Sequence, residues 1–127
     1  MKVKVYFNLH KKVFSVVAME GEHKGLVIDH TDYIELSSAE FKVQKKGRER
    51  VLKEKRKNVH AYIMGYDCRL KDDSELTFNW VRAKYNPYLN STFVLEDDED
   101  RQLRYSQFVR LKVVNDRGVI MVSDDLL

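Results

Sequence analysis

The sequence predicts a single α+β domain, residues 1–127, in which a mostly antiparallel β-sheet carries one principal basic helix at about residues 45–57. Short runs of β-branched and aromatic residues recur along the chain, several of them alternating apolar with polar at period 2, with polar clusters between them. Between Lys45 and Lys57 this alternation stops, and Lys, Arg, Glu and Leu, all good helix formers, take over. One proline, five glycines and no repeat or linker tract point to one compact unit.

The elements follow in order. Val3, Val5 and Phe7 alternate with Lys2, Lys4 and Tyr6 as in a half-buried strand. After the polar turn at 8–12, "VFSVVAM" is a second strand, rich in β-branched residues. "EGEHKG" turns the chain into a third strand, "LVID", and "DYIEL" and "FKV" continue a meander through a Ser-Ser break. In the helix, opposite charges fall at i, i+4 in Lys45/Glu49, Glu49/Lys53 and Arg50/Glu54. Asn58, which tolerates the left-handed conformation, is the expected stop. "VHAYIMGY" and "LTFNWVRAKY" return to strand, and in the latter Phe78 and Trp80 alternate as core residues do. The turn "NPYLN", the strand "STFVL" and a solvated acidic loop, "EDDED" at 96–100, come next. "FVRLKVV" and "GVIMV", joined across "NDRG", make a C-terminal hairpin.

Bulk composition excludes several classes. The lone cysteine, Cys68, rules out an intrachain disulfide and favours a reducing compartment. The N-terminal "MKVKVYFNLHKK" lacks the apolar stretch of a secretory signal, and no apolar run approaches the roughly 18 residues of a membrane span. The expectation is a soluble, cytoplasmic protein with no membrane partner. With 23 basic residues against 20 acidic, the net charge of +3 is too small to identify a nucleic-acid partner, so the distribution of charge must decide.

That distribution singles out the helix. At 100° per residue, Lys46, Arg50, Lys53 and Lys57 lie within about 60° of one another, a cationic stripe roughly 16 Å long. Val51 and Leu52 lie opposite, facing the sheet, with Arg48 and Lys55 beside them. Two readings stand. A helix on a small domain is often charged for solubility alone. A stripe without an interleaved acid also suits the phosphates of nucleic acid or a nucleotide, bound without base reading. In "NWVRAKYNPYLNSTF", Tyr85 and Tyr88 around Asn86-Pro87 are turn-like aromatics suited to stacking on a base, although aromatics usually serve packing first.

Other candidates are weaker. "DHTD" places Asp29, His30 and Asp32 together, with His23 seven residues earlier, but the spacing matches no known ligand set, and no metal or cofactor is expected. His60 has Tyr62 and Tyr66 nearby in sequence and suits either a packing histidine or a general base near phosphate. No catalytic residue is assigned, because no partner carboxylate is identifiable; serine-nucleophile and phosphate-cradling glycine motifs are absent.

Three stretches, "KVYFNLHKKVFSV" (4–16), "GRERVLKEKRKNVHAY" (47–62) and "YNPYLNSTFV" (85–94), resemble small tailed-bacteriophage accessory proteins of unassigned function. The resemblance covers most of residues 1–94 and carries no site residue. It implies a context: an accessory protein in the cytoplasm of the infected cell, directed at host machinery, nucleic acid or nucleotide signals. The expected function is therefore a non-catalytic host-takeover or counter-defence protein that binds nucleic acid or a nucleotide through Lys46, Arg48, Arg50, Lys53, Lys57, Tyr85 and Tyr88. The alternatives are an inhibitor or adaptor of a host bacterial protein and a small nuclease or phosphodiesterase using His60. Exposed strand edges in so small a sheet also suggest a homo-oligomer.

Overall fold

The computed structural model describes residues 1–68, 80–114 and 120–123. In chain order these form β1 (Lys2–Asn8), β2 (Val13–Ala18), β3 (Val27–Thr31), β4 (Tyr33–Val43), α1 (Lys45–Glu54), β5 (Ala61–Asp67), β6 (Trp80–Lys84), β7 (Val94–Leu95), β8 (Tyr105–Val113) and β9 (Ile120–Ser123). The described strands make one sheet in the order β3-β2-β1-β5-β4-β8-β9-β6-β7. Every pairing is antiparallel. The α+β class read from the sequence is what the structure shows.

The pairing is more than a meander. β1 to β3 follow one another as expected, but β4 leaves β3 and pairs with β5 and β8, while β5 fits between β1 and β4. Periodicity reports which face of a strand is buried, not which strand lies beside it. The expected Ser-Ser break is instead a bulge within one eleven-residue strand: the β4–β5 register shifts between Ser37 and Glu40, and Ser38 takes φ 48°. "STFVL" contributes only Val94–Leu95 to a strand. The Phe78 half of the "LTFNWVRAKY" strand and the "NDRG" turn fall outside the described residues.

The alternation read in β1 is present, with Val3 and Val5 fully buried. They meet Phe14, Leu36, Phe41, Ile63, Val109 and Leu111 in one core. That core also takes in Ala83, Phe93 and Leu103 from the far end of the sheet order. The sheet therefore curls, bringing Phe93 to 5.4 Å from Phe41, ring centroid to centroid. The acidic loop at 96–100 is tied to β6 by Lys84–Glu99 at 2.8 Å and Arg82–Glu96 at 3.9 Å.

The helix is shorter than expected. It ends at Glu54, and Lys55, not Asn58, adopts the left-handed conformation (φ 56°, ψ 31°), its N–H donating to Val51 O at 2.8 Å. Val51 is buried, but Leu52 is 37% exposed, so the packing face is narrower than the Val51/Leu52 pair suggested. No side chain caps the N-terminus and no acid lies in the first turn. Among the described residues, the i, i+4 charge pairs do not close into ion pairs. Helix α1 is thus held by tertiary contacts rather than by its own propensity.

The β4 bulge depends on Gly65 opposite it. A Cβ there would lie 2.9 Å from the Ser37 carbonyl oxygen and 3.2 Å from Ala39 Cα, both backbone atoms. Gly65→Ala is expected to lower stability by about 1–3 kcal/mol, as overpacked core substitutions do, measured as a drop in the chemical-denaturation midpoint.

Candidate ligand-binding cleft

The site is built where α1 meets the segment entering β5. Gly47 is costly in a helix, by about 1 kcal/mol relative to alanine, yet it is the third residue of α1. A Cβ at Gly47 would overlap the Cβ of His60, so only glycine lets the helix approach this closely. His60 is 5% exposed.

A chain of hydrogen bonds fixes both partners. The Asn58 side-chain amide donates to the Gly47 carbonyl at 3.3 Å, which turns Asn58 Oδ1 toward His60. His60 Nδ1 lies 2.8 Å from that oxygen and 3.2 Å from the Asn58 carbonyl. Both are acceptors, so Nδ1 carries the proton and Nε2 presents a lone pair. That lone pair accepts the Tyr85 hydroxyl at 2.7 Å. Arg48 donates to the same hydroxyl through its side chain, and its Nε donates to the Pro87 carbonyl at 3.0 Å. The chain begins at Arg48 and ends at Gly47, its neighbour in sequence.

The titration behaviour agrees. Burial holds His60 below the ordinary 6.5, with the Arg48 charge adding to the effect against the raising influence of the Asn58 backbone bond. Burial pushes the Tyr85 hydroxyl above 10.0 even though Arg48 draws it down. A neutral imidazole and a protonated phenol are the two states this bond requires.

Beside this network opens a cleft of about 560 Å³. Phe14, Val51, His60 and Phe93 are its buried walls, Tyr85 is half-buried, and Lys55, Lys57 and Tyr88 are its exposed rim. Lys84 also borders it but is engaged by Glu99. The turn carrying Tyr88 is set by Asn86 and Asn90: Asn86 Oδ1 accepts from Tyr88 N at 3.0 Å, and the buried Asn90 side chain accepts from Asn86 N at 3.1 Å.

The residues expected to bind phosphate separate into two groups. Lys57, Tyr85 and Tyr88 come together at the cleft, and Arg48 braces it. Lys46, Arg50 and Lys53 stay exposed on the helix and do not line it. Lys57 leaves the stripe because the helix has already ended at Glu54. Sequence reasoning missed Lys55, Gly47 and Asn58; the one available signal was a glycine inside a run of helix formers. His60 finds Tyr85 rather than Tyr62, whose ring lies under Lys4 Nζ at 5.2 Å. His30 is bonded to Ser15 Oγ at 3.1 Å, and no three His, Cys, Asp or Glu side chains converge among the described residues.

Comparison with known proteins gives a consistent origin. A family model described as Mycobacterium phage L5 gene 82 protein matches residues 1–119. The gene 82 protein of Mycobacterium phage L5 is 40% identical over 100 residues, covering 74% of this chain and 77% of that protein. The match extends past residue 94 through the acidic loop and β8, beyond the stretches that suggested a phage protein in the sequence. No solved structure matches.

Gly47→Ala should gain helix propensity yet lose stability, by about 1–3 kcal/mol net, seen as a lower thermal midpoint. A second test concerns pH. With the folded His60 pKa below 6.5, the unfolded chain binds the extra proton first as pH falls, so stability drops below about pH 6.5 and is complete above it. His60→Gln should flatten that acid limb in denaturation curves taken between about pH 7 and about pH 5.

Proposed function

The chain belongs to the Mycobacterium phage L5 gene 82 protein family, and from that footing we propose that it is a non-catalytic accessory protein that holds a nucleotide or similar phosphate-bearing ligand in the cleft beside α1. Its place of action under this reading is the cytoplasm of the infected cell, in host takeover or counter-defence. No helix among the described residues is long and apolar enough to cross a membrane.

The observation that carries the reading is the pairing of two cations with an aromatic-walled cleft. A volume of about 560 Å³ falls in the usual range for small-molecule sites. Lys55 and Lys57 supply charge at the rim, and Tyr88, 56% exposed, offers a ring for a base. Lys55 holds a left-handed backbone where glycine is the usual residue. That strain points to a role for its side chain. The basic segment thus contributes through its end more than through its face, while Lys46, Arg50 and Lys53 add long-range attraction for anions. Binding rather than turnover is favoured because both His60 ring nitrogens already have protein partners.

A second reading, an inhibitor or adaptor of a host protein, has one observation in its favour. The edge strand β3 and the residue before it expose Leu26, Val27 and Ile28 at 58%, 46% and 42%. Such an edge recruits a further strand, from a host protein or a second copy of this chain.

Calorimetric titration with nucleoside mono-, di- and triphosphates, with the nucleoside alone as control, tests the first reading. The phosphate-bearing ligands should bind, and Lys55→Gln with Lys57→Gln should weaken them by about tenfold or more per lost charged contact. Lys55→Gly should raise the thermal midpoint while weakening the ligand, since it relieves strain of about 1 kcal/mol. Absence of heat with every nucleotide at millimolar concentration, together with capture of one host protein through the β3 edge, would move the assignment to the second reading.

A further inference from the structure

The sheet face that points away from the core has a composition of its own. On β1, Lys2, Lys4 and Tyr6 alternate with the buried Val3 and Val5. On β5, Tyr62, Met64 and Tyr66 alternate with the buried Ile63 and Gly65, and on β4 Glu40 and Lys42 flank the buried Phe41. Register sets these residues side by side: Lys2 opposite Tyr66, Lys4 opposite Met64, Lys42 opposite Tyr62. The middle strand therefore carries two tyrosines with lysines on both neighbouring strands. Lys4 Nζ sits 5.2 Å from the Tyr62 ring centroid, and Tyr66 is 44% exposed. Glu40 is the one acid among these residues, and Lys42 takes it up at 3.4 Å.

We propose that this face binds single-stranded nucleic acid, with Tyr62 and Tyr66 stacking on bases and Lys2, Lys4 and Lys42 meeting the phosphates on either side. The choice of occupant follows from charge and ring geometry. Beyond the Lys42–Glu40 pair, Lys2 and Lys4 leave a cationic surplus that suits a polyanion, and the rings offer apolar faces to bases. Four residues of strand rise separate Tyr62 from Tyr66, about 13 Å, room for successive bases on one strand. A duplex hides its base faces, and three paired strands within a larger sheet are broader than the helix or two-stranded ribbon that the major groove admits. The three lysines and two tyrosines include no side-chain amide or arginine aimed at base edges, so recognition is independent of sequence. Tyr62 also lines the cleft at Lys55 and Lys57, but Lys2, Lys4, Lys42 and Tyr66 do not, so variants at these four report on this face alone and either site can fail without the other.

The test is fluorescence anisotropy of a labelled oligothymidylate and of a duplex of equal length, at about 50 and about 200 mM salt. Expected is binding of the single strand in preference to the duplex, weaker at the higher salt. Tyr66→Leu, which removes an exposed ring but keeps an apolar strand residue, should weaken binding about fivefold or more. Lys2→Gln, Lys4→Gln and Lys42→Gln combined should lower affinity and flatten the salt dependence, while Lys55→Gln with Lys57→Gln leaves both unchanged. Circular dichroism and the thermal midpoint verify that each variant is folded. No binding at the lower salt overturns the proposal. So does binding that the face variants leave intact, or binding that is lost in Lys46→Gln, Arg50→Gln and Lys53→Gln combined, which would place the strand on the helix.

Discussion

The close approach of Gly47 to His60 is the contact on which the rest of this site depends. With no side chain at Gly47, the helix backbone rests directly on the imidazole. Its carbonyl then comes within reach of Asn58, which orients His60, which receives Tyr85, which Arg48 also holds. The hydrogen-bond circuit closes through a single peptide unit of α1. Each member satisfies the next, and among the described residues no buried side-chain nitrogen or oxygen is left without a partner. In a low-dielectric setting such a circuit is stabilising only when complete, because a gap strands a desolvated polar group. The circuit therefore couples three separated segments, residues 47–48, 58–60 and 85–87, into one unit.

This coupling accounts for a helix that its own sequence supports poorly. Ten residues with no N-cap bond, lysines in the first turn and one buried residue would not persist in isolation. Docking supplies what propensity lacks, and it also fixes where the helix stops. Asn58 is the better left-handed residue by chemistry, but its side chain is committed to Gly47 and His60. The turn falls instead on Lys55, three residues sooner. The consequence is that Lys57 leaves the cationic stripe and joins Lys55 at the cleft rim.

What the sequence revealed and what it withheld divide along the same line. Local patterns were legible: the alternation of β1, the β-branched run of β2, the change of period at Lys45 and the turn-like character of Tyr85 and Tyr88. Contacts between distant segments were not. Nothing in the order of residues says that β5 lies between β1 and β4, that Ser37-Ser38 is a bulge made possible by Gly65, or that Tyr85 rather than Tyr62 reaches His60. The length of α1 was misjudged for the same reason, since the competitor for Asn58 is a tertiary contact.

Net charge conceals the electrostatic character of the molecule. Five of the 20 acidic residues are consecutive at 96–100, so the remainder of the chain carries 23 basic residues against 15 acidic. The acidic loop does not dilute the cations evenly. It reaches back to β6, where Glu96 and Glu99 take up Arg82 and Lys84. Lys84 borders the cleft but is paired with Glu99, so among the described residues the lysines of the lining without an ion pair are Lys55 and Lys57. An anion entering the cleft then meets cations on the side of α1 and aromatic surface on the side of Tyr85 and Tyr88. A ligand that is charged at one end and planar at the other fits that polarity, and a bare polyanion does not. Under the two proposals the ligands differ accordingly: the cleft, with its charge at the rim, would take a single nucleotide, and the open face, flanked by lysines on two strands, would take a strand of them.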